Sequence, residues 1–227
     1  MTPAAPRRGA SDAAHPFAGL HVLADDDPRW PHDPVAQARA ACAGGAAVVQ
    51  LRAKHGADRE RLAWGRAIRA LTRQSGARFV VNDRFDLALL CEADAVHLGQ
   101  DDLPPAAIPA TARSRLAVGR STHDLSQALA ARAEGVDYLA FGPVFTTRTK
   151  TSDYEERGLD ALAEIARALS PLPVVAIGGI DADCIGRVAA SGAAGAAVIR
   201  AVAMAHDPEA ATARLVSHFE RGRAWTC

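Results

Sequence analysis

Residues 137–150 read DYLAFGPVFTTRTK. A short apolar run of strand composition breaks at Gly142-Pro143, and three threonines, an arginine and a lysine follow. Hydroxyl and cationic groups gathered in one loop suit an anion, and phosphate is the commonest biological anion needing that many donors. A plain surface loop has the same composition, so the reading turns on whether other loops converge on the same ligand.

The strand-then-polar-loop unit recurs. Strand-like runs stand at LHVLAD (20–25), AAVVQLR (46–52), RFVVN (78–82), DAVHL (94–98), RLAVG (115–119), DYLAF (137–141), PVVAI (173–177) and GAAVI (195–199). Helical stretches separate them. In DRERLAWGRAIRALTRQ, Leu62, Ile68 and Leu71 share one apolar side. DLSQALAARAEG closes at Gly135 as a C-capped helix does, LDALAEIARALS is alike, and a last helix begins near Pro208. The proline-rich link at 100–114 has room only for a short helix. Eight strand–helix repeats in about 200 residues predict an α/β protein, a single (β/α)8 TIM barrel near the small end of that fold. The alternative is an open doubly wound sheet, but no G-x-G-x-x-G turn follows the first strand. Nothing marks a linker, so residues 19–222 are expected to form one domain behind a disordered leader, 1–18.

Composition narrows the function. The 26 basic and 26 acidic residues cancel, which argues against nucleic acid as a partner, as does the 5% aromatic content. Cys42, Cys91, Cys184 and Cys227 form no Cys-x-x-Cys pair and have no histidine at zinc spacing. They read as reduced thiols of a cytoplasmic protein, three of them packed in helices. No run reaches the ~18 apolar residues of a membrane span, and the leader has no signal-peptide core. The chain has 24 arginines but two lysines, Lys54 and Lys150. Their retention points to a need for a compact ammonium, as phosphate binding can impose; chance is the alternative.

Active sites of (β/α)8 barrels lie at the C-terminal strand ends. There the sequence puts Gln50, Arg52 and Lys54, then Asn82 and Asp83, Asp101 and Asp102, then Ser121, Thr122 and His123. The Thr146–Lys150 loop, Gly178-Gly179, and Ile199 with Arg200 complete the rim. Each has a bland alternative. Asp83 pairs with Arg84 or caps a helix, Asp101 and Asp102 form a solvated corner, Ser121 caps the next helix, His123 is structural, and the glycines make a tight turn. Together, two cationic loops, two acidic ones and a glycine pair fit a diphosphate held partly by Mg²⁺, with a second phosphate near the glycines.

Six ordered motifs carry a family resemblance from about residue 20 to 205: QLRAK, VVNDR, HLGQDD, GRSTH, GPVFTTRTK and AIGGI. In these the chain resembles thiamine-phosphate synthase. The resemblance implies a transferase that joins 4-amino-2-methyl-5-(diphosphooxymethyl)pyrimidine to a thiazole phosphate, releasing pyrophosphate through a carbocation-like transition state. It implies Mg²⁺ on Asp83 and Asp102. It puts Arg52, Lys54, Asn82, Ser121 and Lys150 on the diphosphate and pyrimidine, with Arg52, Lys54, Ser121 and Lys150 as the catalytic set. Thr147 and Thr149 face the thiazole substrate, and Gln50, Gly179, Ile199 and Arg200 complete substrate binding. Arg200 departs from the family's serine, and a homo-oligomer is possible. The rivals are a thiazole tautomerase of the same barrel, with His123 as its acid–base group, and a non-catalytic phosphate-binding paralogue. Against the tautomerase stand the paired aspartates and the T-x-T-K run, both intact here.

Overall fold

A computed structural model describes residues 15–146 and 155–224. It is a closed barrel of eight parallel strands in sequence order: β1 (Gly19–Asp25), β2 (Val48–Arg52), β3 (Arg78–Asn82), β4 (Ala95–Leu98), β5 (Ala117–Thr122), β6 (Tyr138–Phe141), β7 (Val174–Ile177) and β8 (Gly195–Val198). Closure comes from β8 pairing back onto β1, with Gly19 opposite Gly195 and Val22 opposite Val198. The outer layer holds α1 (Pro34–Ala43), α2 (Asp58–Ser75), α3 (Phe85–Leu90), α4 (Ala110–Arg113), α5 (Leu125–Ala133), α6 (Gly158–Leu169), α7 (Ile185–Ala190), α8 (Arg200–Ala203) and α9 (Pro208–Arg223). The 100–114 link holds one 3₁₀ turn, Pro105–Ala107, and the four-residue α4.

Burial on both faces explains why the strands read as unbroken apolar runs. Successive side chains alternate between two cores. Val22, Val49, Val81, Val96, Leu139 and Ala176 pack outward under the helices, where α2 contributes Ile68 and α6 contributes Leu162 and Ile165. Leu23, Val48, Val80, Ala95, Tyr138, Val175 and Ala197 fill the interior.

The floor of the barrel is closed by residues just before β1. The expected leader lies outside the described residues as far as residue 14, whereas Phe17 is buried and stacks on Tyr138 with ring centroids 4.7 Å apart. The Phe17 carbonyl lies 2.8 Å from His21 Nε2, and burial pulls the His21 imidazole down to about 4, so it is neutral.

One strand end differs from the sequence expectation by more than two residues. β5 continues past Gly119 to Thr122, because Gly119 pairs with His97 on one side and Tyr138 on the other, and Ser121 pairs with Ala140. Gly119 does not end the strand. It makes room: a Cβ there would lie 2.2 Å from Tyr138 Cζ and 2.5 Å from its hydroxyl oxygen.

Gly119→Ala is therefore expected to destabilise the fold by about 1–3 kcal/mol through overpacking, since Phe17 blocks retreat of the ring. Gly186→Ala, within α7, would place its Cβ no nearer than 3.6 Å to His218 O, an ordinary contact, and should be neutral or gain up to about 1 kcal/mol. Denaturant midpoints of the two variants measure the contrast; equal midpoints would refute the steric account.

Candidate active site

The inward alternation that fills the barrel with valine and alanine carries polar residues on to the C-terminal rim. From β1 to β5 the parity places Asp25, Gln50, Arg52, Asn82, His97 and Ser121 on the interior side. Gln50 and His97 are buried, and Asn82 and Ser121 are partly exposed.

Sequence reasoning passed over the residue at the centre of this half. Asp25 ends β1, is 1% exposed, and pairs with the Arg52 guanidinium opposite it in register. Its Oδ1 also accepts from Trp30 Nε1 at 2.7 Å and from the Asp27 N–H at 2.9 Å. Gln37 of α1 holds the Asp25 backbone at both ends, receiving its N–H at 3.0 Å and donating to its carbonyl at 2.8 Å. Arg52 Nε is buried with no partner among the described residues. Asp26 is the second omission. Its carboxylate receives the N–H groups of Lys54, His55 and Gly56 at 2.7, 2.9 and 2.7 Å. Burial alone would raise its pKa, but these N–H groups prevail and hold it below the ordinary value. The only signal was the run Asp25-Asp26-Asp27 at a strand end, which reads as a solvated turn.

Asp83 and Asp102 come together as expected. Asp83 has the left-handed backbone φ of 65°, and its N–H donates to His97 O at 2.7 Å, so its side chain leaves the strand and pairs with the Lys54 ammonium. Burial raises the Asp83 pKa, Lys54 opposes this, and the Asp102 carboxylate beside it raises it again. Asp83 neither caps α3 nor pairs with Arg84, which instead holds Asp86 and Asp58. Asp102 receives the Gly99 N–H at 2.5 Å; Gln100 donates to Ser121 O at 2.5 Å, and Arg120 reaches Gln100 O and Leu103 O at 3.4 Å each. These bonds fasten the acidic loop to β5. Asp101 is exposed. Ser121 does not cap α5; Asp124 does, receiving the Gln127 N–H at 2.8 Å. No cluster of three or more His, Cys, Asp or Glu fit to hold a metal occurs among the described residues.

Over β5 to β8 lies a cavity of about 530 Å³, lined among others by Ser121, His123, Gly179, Ile199, Arg200 and Met204. Gly178 and Gly179 both have positive φ, 103° and 64°. His123 Nδ1 lies 2.5 Å from Gly142 O, on the cavity wall. Arg200 opens α8 with an exposed side chain, and no ion pair to it occurs among the described residues. Thr147, Thr149 and Lys150 lie outside the described residues. The ends of that segment are tied together: Thr146 donates its N–H and hydroxyl to Glu156 at 3.1 and 2.9 Å.

A (β/α)8 barrel with cations, paired carboxylates and an adjoining cavity at its catalytic rim is an enzyme of the kind that handles phosphorylated substrates. A family model, thiamine monophosphate synthase, matches residues 20–202. The thiamine-phosphate synthase of Anaeromyxobacter dehalogenans (strain 2CP-C) is 54% identical over 208 residues, 92% of this chain and 90% of its own. That of Myxococcus xanthus (strain DK1622) is 44% identical over 214 residues, 94% and 98% of the two chains. Among solved structures, a thiamine phosphate pyrophosphorylase from Pyrococcus furiosus superposes with a TM-score of 0.82 at 37% identity, covering 92% of this chain and 98% of its own. The 3-hexulose-6-phosphate synthase of Salmonella typhimurium, at 16% identity and a TM-score of 0.66, shares the fold. The chain belongs to the thiamine monophosphate synthase family, and the transferase reading of its motifs stands over the tautomerase.

Asp25→Asn should weaken both fold and site, because it leaves the guanidinium of Arg52 uncompensated where its side chain is 15% exposed. Breaking such a buried pair costs about 3–5 kcal/mol at the upper end. Urea unfolding beside a pyrophosphate-binding titration checks this; wild-type values in both would show that Arg52 stands without Asp25.

Proposed function

We propose that the β1–β5 half of the mouth holds the pyrimidine diphosphate and the cavity over β5–β8 holds the thiazole phosphate. The observation that carries this reading is the meeting of Asp83 and Asp102 beside Lys54: two carboxylates kept together in a partly buried loop pair suit a site that receives a cation. The donor set fits Mg²⁺, which takes one or two carboxylates and completes its shell with substrate phosphates and water. Bound there, the ion would neutralise charge developing on the departing diphosphate.

The protein's own groups do the rest. Arg52 is held in place at the end of β2 by Asp25. Lys54 is a compact charge whose loop is fixed by Asp26. With Lys150 they stabilise pyrophosphate as the carbon–oxygen bond breaks and the electron pair leaves with it. Asn82, Gln50 and Ser121 orient the aminopyrimidine, whose amino group feeds electrons to the methylene carbon. The thiazole nitrogen then donates its lone pair to that carbon, and the carbon–nitrogen bond forms. Gly179, Ile199, Arg200, Thr147 and Thr149 hold the second phosphate and its ring in line for this attack. The free thiols of Cys42, Cys91 and Cys184 support a cytoplasmic setting.

The deciding experiment is turnover with both substrates and release of pyrophosphate. Isomerisation of a thiazole carboxylate instead would revive the tautomerase; binding without turnover would revive the phosphate sensor.

Two expectations follow from the residues. Asp83→Asn and Asp102→Asn should each lower turnover by at least ~10²-fold, a few kcal/mol of transition-state stabilisation, and weaken Mg²⁺ binding in the presence of pyrophosphate. Near-normal rates at limiting Mg²⁺ would defeat the assignment. Arg200→Ser should weaken thiazole-phosphate binding by one to two decades, the equivalent of ~1.5–3 kcal/mol for a charge-assisted bond, with little change for the diphosphate. Equal dissociation constants would place the guanidinium outside the subsite.

A further inference from the structure

A chain of three side chains runs from the core of the barrel to its mouth. Tyr138 O–H lies 3.1 Å from His97 Nδ1, and His97 Nε2 lies 2.9 Å from Ser121 Oγ. Tyr138 and His97 are buried, whereas Ser121 lines the cavity. We propose that Tyr138 and His97 are positioning residues that fix the direction of this chain, leaving the Ser121 hydroxyl proton to point into the mouth as a hydrogen-bond donor to an acceptor atom of the pyrimidine diphosphate. The identity of that ligand rests on the proposed function; the direction of the chain does not.

The direction follows from counting protons. Tyr138 is 1% exposed, and burial pushes its phenol far above the ordinary value, so it keeps its proton. His97 is the one hydrogen-bond partner of that hydroxyl among the described residues. If His97 donated from Nδ1 to the phenol oxygen, the phenol proton would be buried without an acceptor, and its desolvation would go uncompensated. The phenol therefore donates to Nδ1, which puts the imidazole proton on Nε2. Nε2–H donates to Ser121 Oγ, whose lone pair is then engaged, and whose own proton must look elsewhere.

Tyr138 cannot turn away to relax this constraint. Its ring occupies the space over Gly119, where a Cβ would sit 2.2 Å from Cζ, and Phe17 stacks on it from below. Aromatic burial thus serves a polar end: packing fixes the phenol, the phenol fixes the tautomer, and the tautomer fixes the serine.

The direction is read by long-range ¹H–¹⁵N NMR on the ligand-free protein, with the His97 signals assigned by their loss in His97→Gln. A neutral ring protonated at Nε2 is expected in the wild type, and a mixture of tautomers in Tyr138→Phe. An Nδ1–H tautomer in the wild type would overturn the proposal. In kinetics, Tyr138→Phe should lower kcat about tenfold, the worth of one hydrogen bond, with KM for the thiazole phosphate little changed. The same change in a Ser121→Ala background should cost nothing further, because both act through one hydroxyl. An equal loss in both backgrounds would mark Tyr138 as merely structural and overturn the proposal. His97→Gln, whose amide supplies an N–H near the position of Nε2, should retain more activity than His97→Leu; the reverse order would also overturn it. A wild-type protein without synthase turnover would count against the proposed activity alone, and the ligand-free tautomer would still decide the direction.

Discussion

The buried pair of Asp25 and Arg52 is the constraint on which the catalytic rim depends. Removing two charges from water costs several kcal/mol per ion, and mutual attraction offsets this only when the remaining lone pairs are also satisfied. Asp25 meets that condition. Beyond Arg52 it receives the Trp30 indole and the Asp27 N–H, and Gln37 pins its backbone. The guanidinium is consequently locked at the end of β2 before any ligand arrives. Preorganised charge of this kind needs no rearrangement as negative charge develops.

Its neighbours extend the same logic to the loops. Asp26 gathers three successive N–H groups from residues 54–56, so the turn that carries Lys54 is held by a carboxylate on the adjacent strand end. Asp102 receives Gly99 N–H, and Gln100 and Arg120 bind that loop to β5. Both of these loops are therefore hydrogen-bonded to their own short turn or to a neighbouring strand. This is how residues on strands of four to seven positions can be placed with the accuracy that alignment of two substrates demands.

What the sequence disclosed, and what it hid, divides along a physical line. Burial on both faces writes itself as apolar runs, so the eight strands and their order were legible, as were the start of α9 at Pro208 and the left-handed Gly135 that closes α5. Candidate site residues were legible where they interrupt such a run with chemistry a strand does not need, as Arg52, Asp83 and Ser121 do at the C-terminal rim. Hidden were residues whose role depends on a partner far along the chain. Asp25 meets Arg52 across 27 residues and His97 meets Tyr138 across 41. No local pattern distinguishes Asp25 from a turn aspartate or His97 from a core histidine. Gly119 misled for the same reason: its lack of a side chain answers to a tyrosine 19 positions on, where local propensity took it for a strand end.

The glycine pair after β7 illustrates how one residue type can satisfy two demands that sequence cannot separate. The expectation was that Gly178-Gly179 lets the backbone approach a phosphate, and both lie on the wall of the cavity. A second reason is independent of any ligand. A Cβ on Gly178 would lie 2.5 Å from Pro143 Cα, and one on Gly179 would lie 2.6 Å from Thr146 O. On the facing strand end, a Cβ on Gly142 would lie 2.0 Å from Ile177 O. The two loops are that close because Val144 N–H and Phe145 N–H donate to Ile177 O and Gly178 O at 2.9 and 3.1 Å, continuing the β6–β7 pairing beyond the strands. Arg157 and Gly158 N–H return to Pro143 O and Val144 O at 2.8 and 3.0 Å. Both ends of the segment bearing Thr147, Thr149 and Lys150 are thereby fastened to the frame that presents the glycines. A side chain at either glycine would therefore part the two loops whatever ligand the cavity receives.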